Sequence, residues 1–386
     1  MTERLYYDNP EIKEFSAAVT QCFPYKDGNF AVVLNKTYFY PESGGQLGDR
    51  GFIDAIPVDD VVVQGDDILH ITKIAIEQNT VQCRIDDGRR ADLTCQHTGQ
   101  HLISALFLKQ LSAATVGFHM SDTYSTIDLE CDVVRAEQLA DIELQANKAV
   151  MANKAVRSFW IRPEDIEKYP IRKIGKFSER VRLVEIEDND VSMCGGTHVL
   201  QTASIGPIRF IASERVKGGL LRLSFLCGER AVRFGTVQNE TLQRLKKMTS
   251  LPEEEIITGI EKIMQDKELM HKQSQAMVRM LLEIKVNTTQ GQQYVIDATF
   301  DLGKNAQQTY AAECIKKGAL LAAIYDPKEQ FLVISQAPSK PFDLKTIGAG
   351  LIGAYSAKGG GSDTVFQIMN IVLADPEQEI RKVFAL

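Results

Sequence analysis

Several common sequence features are missing from these 386 residues. The seven cysteines are scattered, and no two are spaced as C-x-x-C, so neither a zinc ribbon nor a thioredoxin-type site is encoded. An odd, dispersed set of thiols is typical of a reducing compartment. The N-terminus has no apolar signal segment, and no run reaches the roughly 20 apolar residues of a membrane helix. We therefore expect a soluble, cytoplasmic protein without a membrane partner.

An excess of positive charge is missing as well. The chain has 44 Lys and Arg against 51 Asp and Glu, a net charge of −7, which argues against a uniformly basic nucleic-acid coat. Locally the balance reverses. Residues 201–250 hold nine basic and three acidic residues, and residues 172–182 hold five basic residues and one acid. These segments are candidates for phosphate contacts, with ordinary solvated basic faces as the alternative.

The hydrophobic pattern divides the chain into four parts and predicts the α+β class. Residues 1–90 contain short β-rich runs between turn residues, which indicates a small β-barrel. Residues 91–228 mix helical patterns with strands, as in an α+β domain. Residues 229–288 predict a helical hairpin whose apolar stripe packs on itself or on a second copy, with a Met-rich recognition surface as the minority alternative. Residues 289–386 predict a small α/β domain.

Individual elements follow from periodicity and breakers. Ser250 is predicted as the N-cap of the second hairpin helix. The predicted helices outside the hairpin cover residues 94–110, about 135–157 and about 342–355. The predicted strands are 30–34, 51–53, 60–63, 80–85, 125–129, 181–186, 208–213, 220–225, 294–296, 319–324 and 331–334.

Two short motifs carry nitrogen and sulfur donors. His97 and His101 are four residues apart in a predicted helix, so both imidazoles lie on one helix face. The second motif, C-G-G-T-H, folds Cys194 and His198 toward one point because its glycines favour a turn. Such donors are those that zinc prefers, and we predict one Zn²⁺ per chain. Four protein ligands are typical of a structural site, but ligands from two distant segments also create a cleft, so the zinc's role stays open.

These motifs, with three further stretches, resemble the editing domain of alanyl-tRNA synthetases and the free-standing AlaX editing proteins. Residues 37–46, T-Y-F-Y-P-E-S-G-G-Q, are similar to the family's "T-x-F-Y-P-E-x-G-G-Q" segment, which D-R-G at 49–51 continues. G-F-H-M at 117–120 with S-T-I-D-L at 125–129 resembles its "G-x-H…IDL" stretch. Residues 190–198, D-V-S-M-C-G-G-T-H, resemble "D-x-x-x-C-G-G-T-H".

The C-terminal part is similar to the DHH-associated domain that ends alanyl-tRNA synthetases and the long AlaX form. Its glycine-rich signature is matched by Lys358, Gly359, Gly360, Gly361 and Ser362, followed by Gln367. Phe366 stands where the family usually has a small alanine. From the residues alone, a glycine loop is equally a phosphate cradle or a tight turn.

The resemblance implies a trans-editing enzyme, a zinc-dependent aminoacyl-tRNA deacylase. Its substrate would be tRNA(Ala) carrying serine or glycine in error. The barrel begins at Met1 without a class II catalytic domain before it, so we expect no aminoacylation. The zinc would act as a Lewis acid, generate hydroxide or orient the terminal adenosine.

Roles transfer to matching positions of this sequence. The resemblance implies His97, His101, Cys194 and His198 as metal ligands. The catalytic candidates are Gln46, Thr98 and Cys194, with Gln46 contacting the amino acid or the attacking water. The substrate-binding candidates are Thr37, Gly44 and Gly45, and Lys358, Gly359, Gly360 and Gly361 in the C-terminal domain. Thr37 or Thr98 would bond a serine hydroxyl, a contact that alanine cannot make.

Three alternatives remain. Threonyl-tRNA synthetase editing domains also use HxxxH and CxxxH motifs, so Ser-tRNA(Thr) is a rival substrate. A non-catalytic tRNA-binding module with structural zinc is a second alternative. A phosphodiesterase is a third, disfavoured because the catalytic DHH sequence is missing. A homodimer through the helical hairpin or the C-terminal domain is also predicted.

Overall fold

Helices and strands are interspersed along the chain, which confirms the predicted α+β class. A computed structural model describes residues 1–175 and 179–386. The chain divides into two units, Met1–Arg244 and Leu245–Leu386. The four-part division proposed from the sequence stays a prediction. Among the described residues, no helix combines the length and the apolarity needed to cross a membrane.

The first strands of the first unit close into a barrel. Their bounds are β1 Glu3–Arg4, β2 Glu14–Pro24, β3 Phe30–Leu34, β4 Lys36–Thr37, β5 Gly51–Ile53, β6 Ile56–Gln64, β7 Asp67–Thr72 and β8 Thr80–Ile85. Six of them pair in the order β2-β3-β7-β6-β5-β8, and β8 pairs back onto β2. β1 and β4 form a short parallel pair beside this ring. Alternating side chains fill the barrel, for example Val81, Cys83 and Ile85 of β8.

The rest of the first unit places two helices against two further sheets. The helices are α1 Asp87–Leu111 and α2 Ala136–Met151. The strands are β9 Thr115–Met120, β10 Ser125–Leu129, β11 Val156–Ile161, β12 Val181–Ile186, β13 Asp190–Met193, β14 Ile208–Val216 and β15 Leu220–Cys227. One sheet has the order β14-β15-β10-β9, and the other has the order β11-β12-β13. Apolar side chains of both helices form one core with the first of these sheets.

Two helix boundaries differ from the prediction. α1 begins at Asp87 rather than near residue 94, because the Asp86 carboxylate accepts a hydrogen bond from the Arg89 amide and caps the helix. α2 ends at Met151, and the left-handed conformation of Asn153, with φ of 50°, turns the chain toward β11. The predicted helix to residue 157 is therefore wrong in its last turn.

Two long helices follow, α3 Glu229–Thr249 and α4 Ile256–Thr288. Ser250 has a left-handed φ of 57°, and its amide donates to the Lys246 carbonyl, so it ends α3. The predicted N-cap role of Ser250 is therefore wrong. The predicted hairpin arrangement of the two helices stays a prediction.

The second unit contains a mixed five-stranded sheet. Its strands are β16 Tyr294–Asp297, β17 Leu321–Asp326, β18 Phe331–Gln336, β19 Lys358–Gly361 and β20 Val365–Met369, and its helices are α5 Lys304–Lys316, α6 Leu344–Tyr355 and α7 Pro376–Val383. The strand order is β16-β17-β18-β20-β19. Only β16 and β17 pair in parallel, and helices pack on this sheet to form two apolar clusters.

The glycine segment of this unit is an exposed edge strand, which corrects the predicted glycine loop. β19 pairs with β20 in antiparallel register, Gly359 opposite Ile368 and Gly361 opposite Phe366. A Cβ on Gly359 would lie 2.2 Å from the Gln367 carbonyl oxygen, so glycine lets the two strands approach. The Phe366 ring occupies the space where a Cβ on Gly348 of α6 would lie, only 2.4 Å away. Phe366 is therefore a core residue beneath this edge.

Candidate metal centre

Four side chains from two segments converge in the first unit. α1 carries His97 and His101 one helical turn apart, and the turn after β13 carries Cys194 and His198. Their donor atoms, one from each side chain, all lie within 4.8 Å of one another. The three imidazoles are 4 to 5% exposed. The structure thus brings together all four predicted ligands in one buried cluster.

The donor set and its spacing fit a tetrahedral metal ion. Cys194 Sγ lies 3.4 Å from His97 Nε2 and 3.3 Å from His198 Nε2. In a tetrahedral zinc site, with bonds of about 2.3 Å to sulfur and about 2.0 Å to nitrogen, the sulfur–nitrogen edge is about 3.5 Å. Zinc also binds such a set of three imidazoles and one thiolate more readily than harder cations do. The four residues could therefore hold a metal ion with little rearrangement.

Each histidine uses its Nδ1 atom for a second partner, which leaves Nε2 for the cluster. His97 Nδ1 lies 2.6 Å from Gln46 Oε1, and His101 Nδ1 lies 3.1 Å from Asp190 Oδ2. Both oxygens only accept, so both Nδ1 atoms carry the proton. His198 Nδ1 lies 3.2 Å from the Thr98 hydroxyl oxygen.

The Thr98 hydroxyl has a single proton, and it donates this proton to the Thr94 carbonyl at 2.9 Å. Thr98 Oγ1 can therefore only accept from His198 Nδ1, and His198 has the same tautomer as the other two imidazoles. In the neutral imidazoles that metal binding requires, the Nε2 lone pair of each ring is therefore left for the ion. Such outer partners fix the tautomer and the ring orientation of metal ligands.

Gln46 connects the barrel turn to both halves of the cluster. Its Oε1 also accepts from the Thr197 amide at 3.1 Å, and its Nε2 donates to the Thr197 hydroxyl at 2.8 Å. The backbone N–H of Thr197 thus determines which end of the Gln46 amide faces His97. The Gln46 side chain is fully buried. It holds His97 of α1 and Thr197 of the second turn in register.

Glycines are required in both turns, because neighbouring atoms leave no room for a Cβ. Gly45 has a φ of 87°, and a Cβ there would lie 2.6 Å from the Phe118 carbonyl oxygen. A Cβ on Gly196 would lie 2.1 Å from His97 Cε1. Any larger residue at either position would displace the backbone or the ligand. The Arg182 guanidinium completes the second turn by donating to the carbonyls of Cys194 at 2.8 Å and Gly196 at 3.0 Å.

The charges around the cluster favour a thiolate. Burial alone would raise the pKa of the Cys194 thiol, but the neighbouring imidazoles hold this pKa well below its ordinary value. Burial lowers the pKa of His198 to about 3. For His101, burial is outweighed by Cys194 and Asp190, which raise its pKa to about 9. Burial is likewise outweighed at Asp190, where His101 and Arg172 lower the pKa to about 2.

A cavity of about 300 Å³ opens beside the cluster. It is lined by Gly44, His97, Gln100, His101, Thr115, Val116, Gly117, Phe118, Arg172, Lys173, Gly175, Ser192, Met193 and Cys194. Three of the four clustered residues therefore line the cavity. Arg172 and Lys173 come from the smaller basic segment predicted for phosphate contacts, and its Lys176 lies outside the described residues.

The other predicted site residues are distributed differently. Gly44 lines the cavity, but Gln46, Thr37 and Thr98 are not among its described lining residues. The Thr37 hydroxyl lies inside the barrel, 2.8 Å from His70 Nε2, and it accepts from the Phe39 amide. The predicted contacts of these three side chains with substrate stay predictions. Lys358 to Gly361 lie on the edge strand of the second unit.

The larger basic segment is partly neutralised. Five of its nine cations form ion pairs with carboxylates: Arg209–Glu143, Arg215–Asp132, Arg222–Asp128, Arg230–Asp92 and Arg233–Glu229. These ion pairs reduce the positive potential that the composition of residues 201–250 implies. Its predicted role in phosphate binding stays a prediction.

Sequence reasoning did not assign roles to Asp190, Arg182 and Gln100. Asp190 stands four residues before Cys194 in the quoted motif, and this spacing is the one available signal for it. Arg182 belongs to the basic segment, where nothing distinguishes it from its neighbours. Gln100 precedes His101 on α1, and its buried side chain lines the cavity and donates to the Ser104 hydroxyl.

The chain is similar in sequence to several known proteins. Residues 181–224 match the family described as the threonyl and alanyl tRNA synthetase second additional domain. The chain is 29% identical to the alanyl-tRNA editing protein AlaX-L of Pyrococcus horikoshii over 98% of its own length and 96% of that protein. It is 32% identical to the alanyl-tRNA editing protein Aarsd1-B of Xenopus laevis, over 65% of the chain and 62% of the relative. It is 35% identical to the alanine–tRNA ligase of Pyrococcus furiosus over 66% of the chain, which spans 29% of that enzyme.

Proposed function

Because the chain belongs to the AlaX family of alanyl-tRNA editing proteins, we propose that it hydrolyses the ester linking serine or glycine to tRNA(Ala). The observation that carries this proposal is the convergence of four donor atoms within 4.8 Å of one another, with three of the four residues lining a cavity. Water adds to the ester carbonyl carbon, and the bond from this carbon to the ribose oxygen breaks. The ribose oxygen takes up a proton, which leaves the free amino acid and deacylated tRNA.

His97, His101, Cys194 and His198 would hold a zinc ion, one per chain. When bound, zinc supplies positive charge that can polarise an oxygen or position the substrate. The chain itself supplies the orientation: Gln46, Thr98 and Asp190 hold the three imidazoles through Nδ1. We assign these three residues as positioning residues.

The cavity supports recognition of a polar amino acid. Gln100, Thr115 and Ser192 line it, so a serine hydroxyl would find hydrogen-bonding partners there. These side chains already donate to Ser104 or Asp190, and a serine hydroxyl could use the hydrogen-bonding capacity that remains. Alanine has no group to do so, and this difference favours the mischarged substrate. Arg172 and Lys173, also in the lining, would face the terminal phosphate.

The test offers the protein Ser-tRNA(Ala), Gly-tRNA(Ala), Ala-tRNA(Ala) and Ser-tRNA(Thr), each with and without a chelator. We expect release of serine and glycine from tRNA(Ala), and little release of alanine. Release from Ser-tRNA(Thr) alone would establish the rival substrate. Tight tRNA binding without any release would establish a non-catalytic module. The Cys194→Ala variant should lose zinc and deacylation together, whereas full activity without zinc would refute the metal assignment.

We also propose that two copies pair through α4. Ile263, Met270, Met277 and Ile284 recur every seven residues and are 56 to 68% exposed. A different face of α4, with Leu282 and Val286, packs onto the core of the second unit. The seven-residue stripe is thus free for a second copy. Sedimentation of the wild type should show a dimer. The substitutions Met270→Glu and Met277→Glu should dissociate it, whereas the control Gln273→Glu, at an exposed position, should leave it intact. A monomeric wild type would refute this pairing.

A further inference from the structure

Trp160, the sole tryptophan of the chain, lies on the surface near the metal centre. It belongs to β11, and its indole is 37% exposed. In the sheet it pairs with Arg182 of β12, and the Cys194 amide donates to the Arg182 carbonyl at 3.2 Å. Trp160 is therefore two strand spacings, about 10 Å, from the metal-binding turn.

The indole is flanked by an aromatic ring and a guanidinium. The Tyr7 ring meets it edge-on, with centroids 5.6 Å apart and an interplanar angle of 84°. The Arg180 guanidinium lies over the indole, 5.0 Å from its centroid. Tyr7 in turn contacts Arg182, whose guanidinium lies 5.3 Å from the Tyr7 ring. Arg182 is buried and also donates to the carbonyls of the Cys194 turn, so packed side chains connect Trp160 to the metal centre.

We propose that Trp160, Tyr7 and Arg180 form a stacking platform for the unpaired 3′ strand of RNA, upstream of the nucleotide whose ester enters the cavity. This proposal rests on the proposed function, since it assigns the route of that same substrate. Every base has a π-face that an exposed indole can accept without regard to sequence. The Arg180 charge is available for the adjoining phosphate.

The charge of this surface favours RNA over an apolar partner. Arg180 is exposed beside the indole, and Arg162, which follows β11, is 80% exposed with its guanidinium 3.9 Å from the Glu164 carboxylate. An exposed aromatic beside arginines is the combination found in grooves for single-stranded nucleic acid. An apolar protein partner would instead have to desolvate these cations.

The first experiment uses the fluorescence of Trp160 in the full chain as its own reporter. A single-stranded RNA heptamer ending in ACCA should quench the emission, and a blunt RNA duplex of the same length should quench it far less. Unquenched emission at saturating single strand would overturn the platform. Because this RNA carries no amino acid, the result does not depend on whether the protein deacylates any substrate.

The second experiment measures deacylation of Ser-tRNA(Ala) by variants. Trp160→Leu should raise KM by about 5-fold to 150-fold, the range that corresponds to loss of one stacked base, with kcat nearly unchanged. Trp160→Phe should restore most of the affinity. Arg180→Gln should reduce the slope of log KM against log salt by about 0.7.

The matched control is Phe52→Leu, which removes another aromatic–arginine contact, that of Phe52 with Arg84 on the barrel, 4.7 Å apart. This variant should have the KM of the wild type. A wild-type KM in Trp160→Leu would refute the platform while leaving deacylation intact, and absence of deacylation in every protein would instead refute the proposed function.

Discussion

His101 Nδ1 and the Asp190 carboxylate lie 3.1 Å apart, and both side chains are buried. Asp190 also accepts from Arg172 at 2.7 Å and from the Ser192 hydroxyl at 2.8 Å. One carboxylate thus orients an imidazole of the cluster and anchors a cation that lines the cavity.

Replacing Asp190 with Asn should lower zinc affinity by about 10-fold to 100-fold, because His101 loses a charged acceptor that fixes its tautomer. Competition with a chromophoric chelator measures this affinity. The control is Asp188→Asn, which removes an exposed carboxylate paired with Lys154 in the neighbouring turn. Equal affinities in wild type and Asp190→Asn would contradict the positioning role of this carboxylate.

Gln46→Met should also weaken zinc binding, since His97 loses its acceptor. If Gln46 acts only on the ligand, saturating zinc should restore kcat to near the wild-type value. A kcat that stays low in the fully zinc-loaded variant would instead support the predicted contact of Gln46 with substrate or water. Gln82→Met, on an exposed part of β8, should change neither zinc content nor kcat.

Gly45→Ala should destabilise the first unit by about 2 to 4 kcal/mol, since it combines a left-handed backbone with a close approach to Phe118. Gly65→Ala separates these effects, because Gly65 has a φ of 61° but no atom within 4 Å of the position that a Cβ would take. The control should lose only about 1 kcal/mol. Urea unfolding measures both, and equal losses would show that the contact with Phe118 is not costly.

The buried His70 should make the stability of the protein depend on pH. Burial lowers its pKa from 6.5 to about 4, so the folded protein keeps the imidazole neutral where the unfolded chain binds a proton. The stability that the neutral imidazole contributes is therefore complete above pH 6.5. As the pH falls from 6.5 to about 4, the free energy of unfolding decreases by about 1.4 kcal/mol per pH unit. His70→Asn, measured by unfolding at each pH in saturating zinc, should have a shallower slope than the wild type by this amount. Identical slopes would show that His70 is not the responsible group.

The convergence of the four donor residues could be predicted from sequence, whereas the groups that orient them could not. His97 and His101 are one helical turn apart, and C-G-G-T-H is a local turn, so each pair is specified by short-range geometry. Gln46 and Asp190 lie 51 and 89 residues from the histidines they contact. Their contacts depend on how the barrel and the β12–β13 hairpin pack against α1, which local patterns do not encode.

The wrong prediction of a glycine loop had a similar origin. Gly359 and Gly361 look like a loop because glycine is rare in strands, yet here it allows β19 to approach β20 closely. The Phe366 ring packs against Gly348, which lies on α6 rather than on a neighbouring strand. Conversely, the alternation in 80–85 coincides with the observed β8, whose alternate side chains fill the barrel interior. The apolar run 30–34 coincides with β3, which is buried on both faces.

The first turn of α1 makes the barrel unsuited to transplantation as a separate module. Arg90 is 1% exposed and forms a buried ion pair with Asp49, and its guanidinium also donates to the carbonyls of Pro10 and Tyr38. A chimaera joined at residue 90 would cut the helix that holds this guanidinium and would risk stranding the Asp49 charge in an apolar interior, at a cost of about 3 to 5 kcal/mol. Successful grafts of this site would therefore carry the barrel, α1 and the Cys194 turn as one piece of chain.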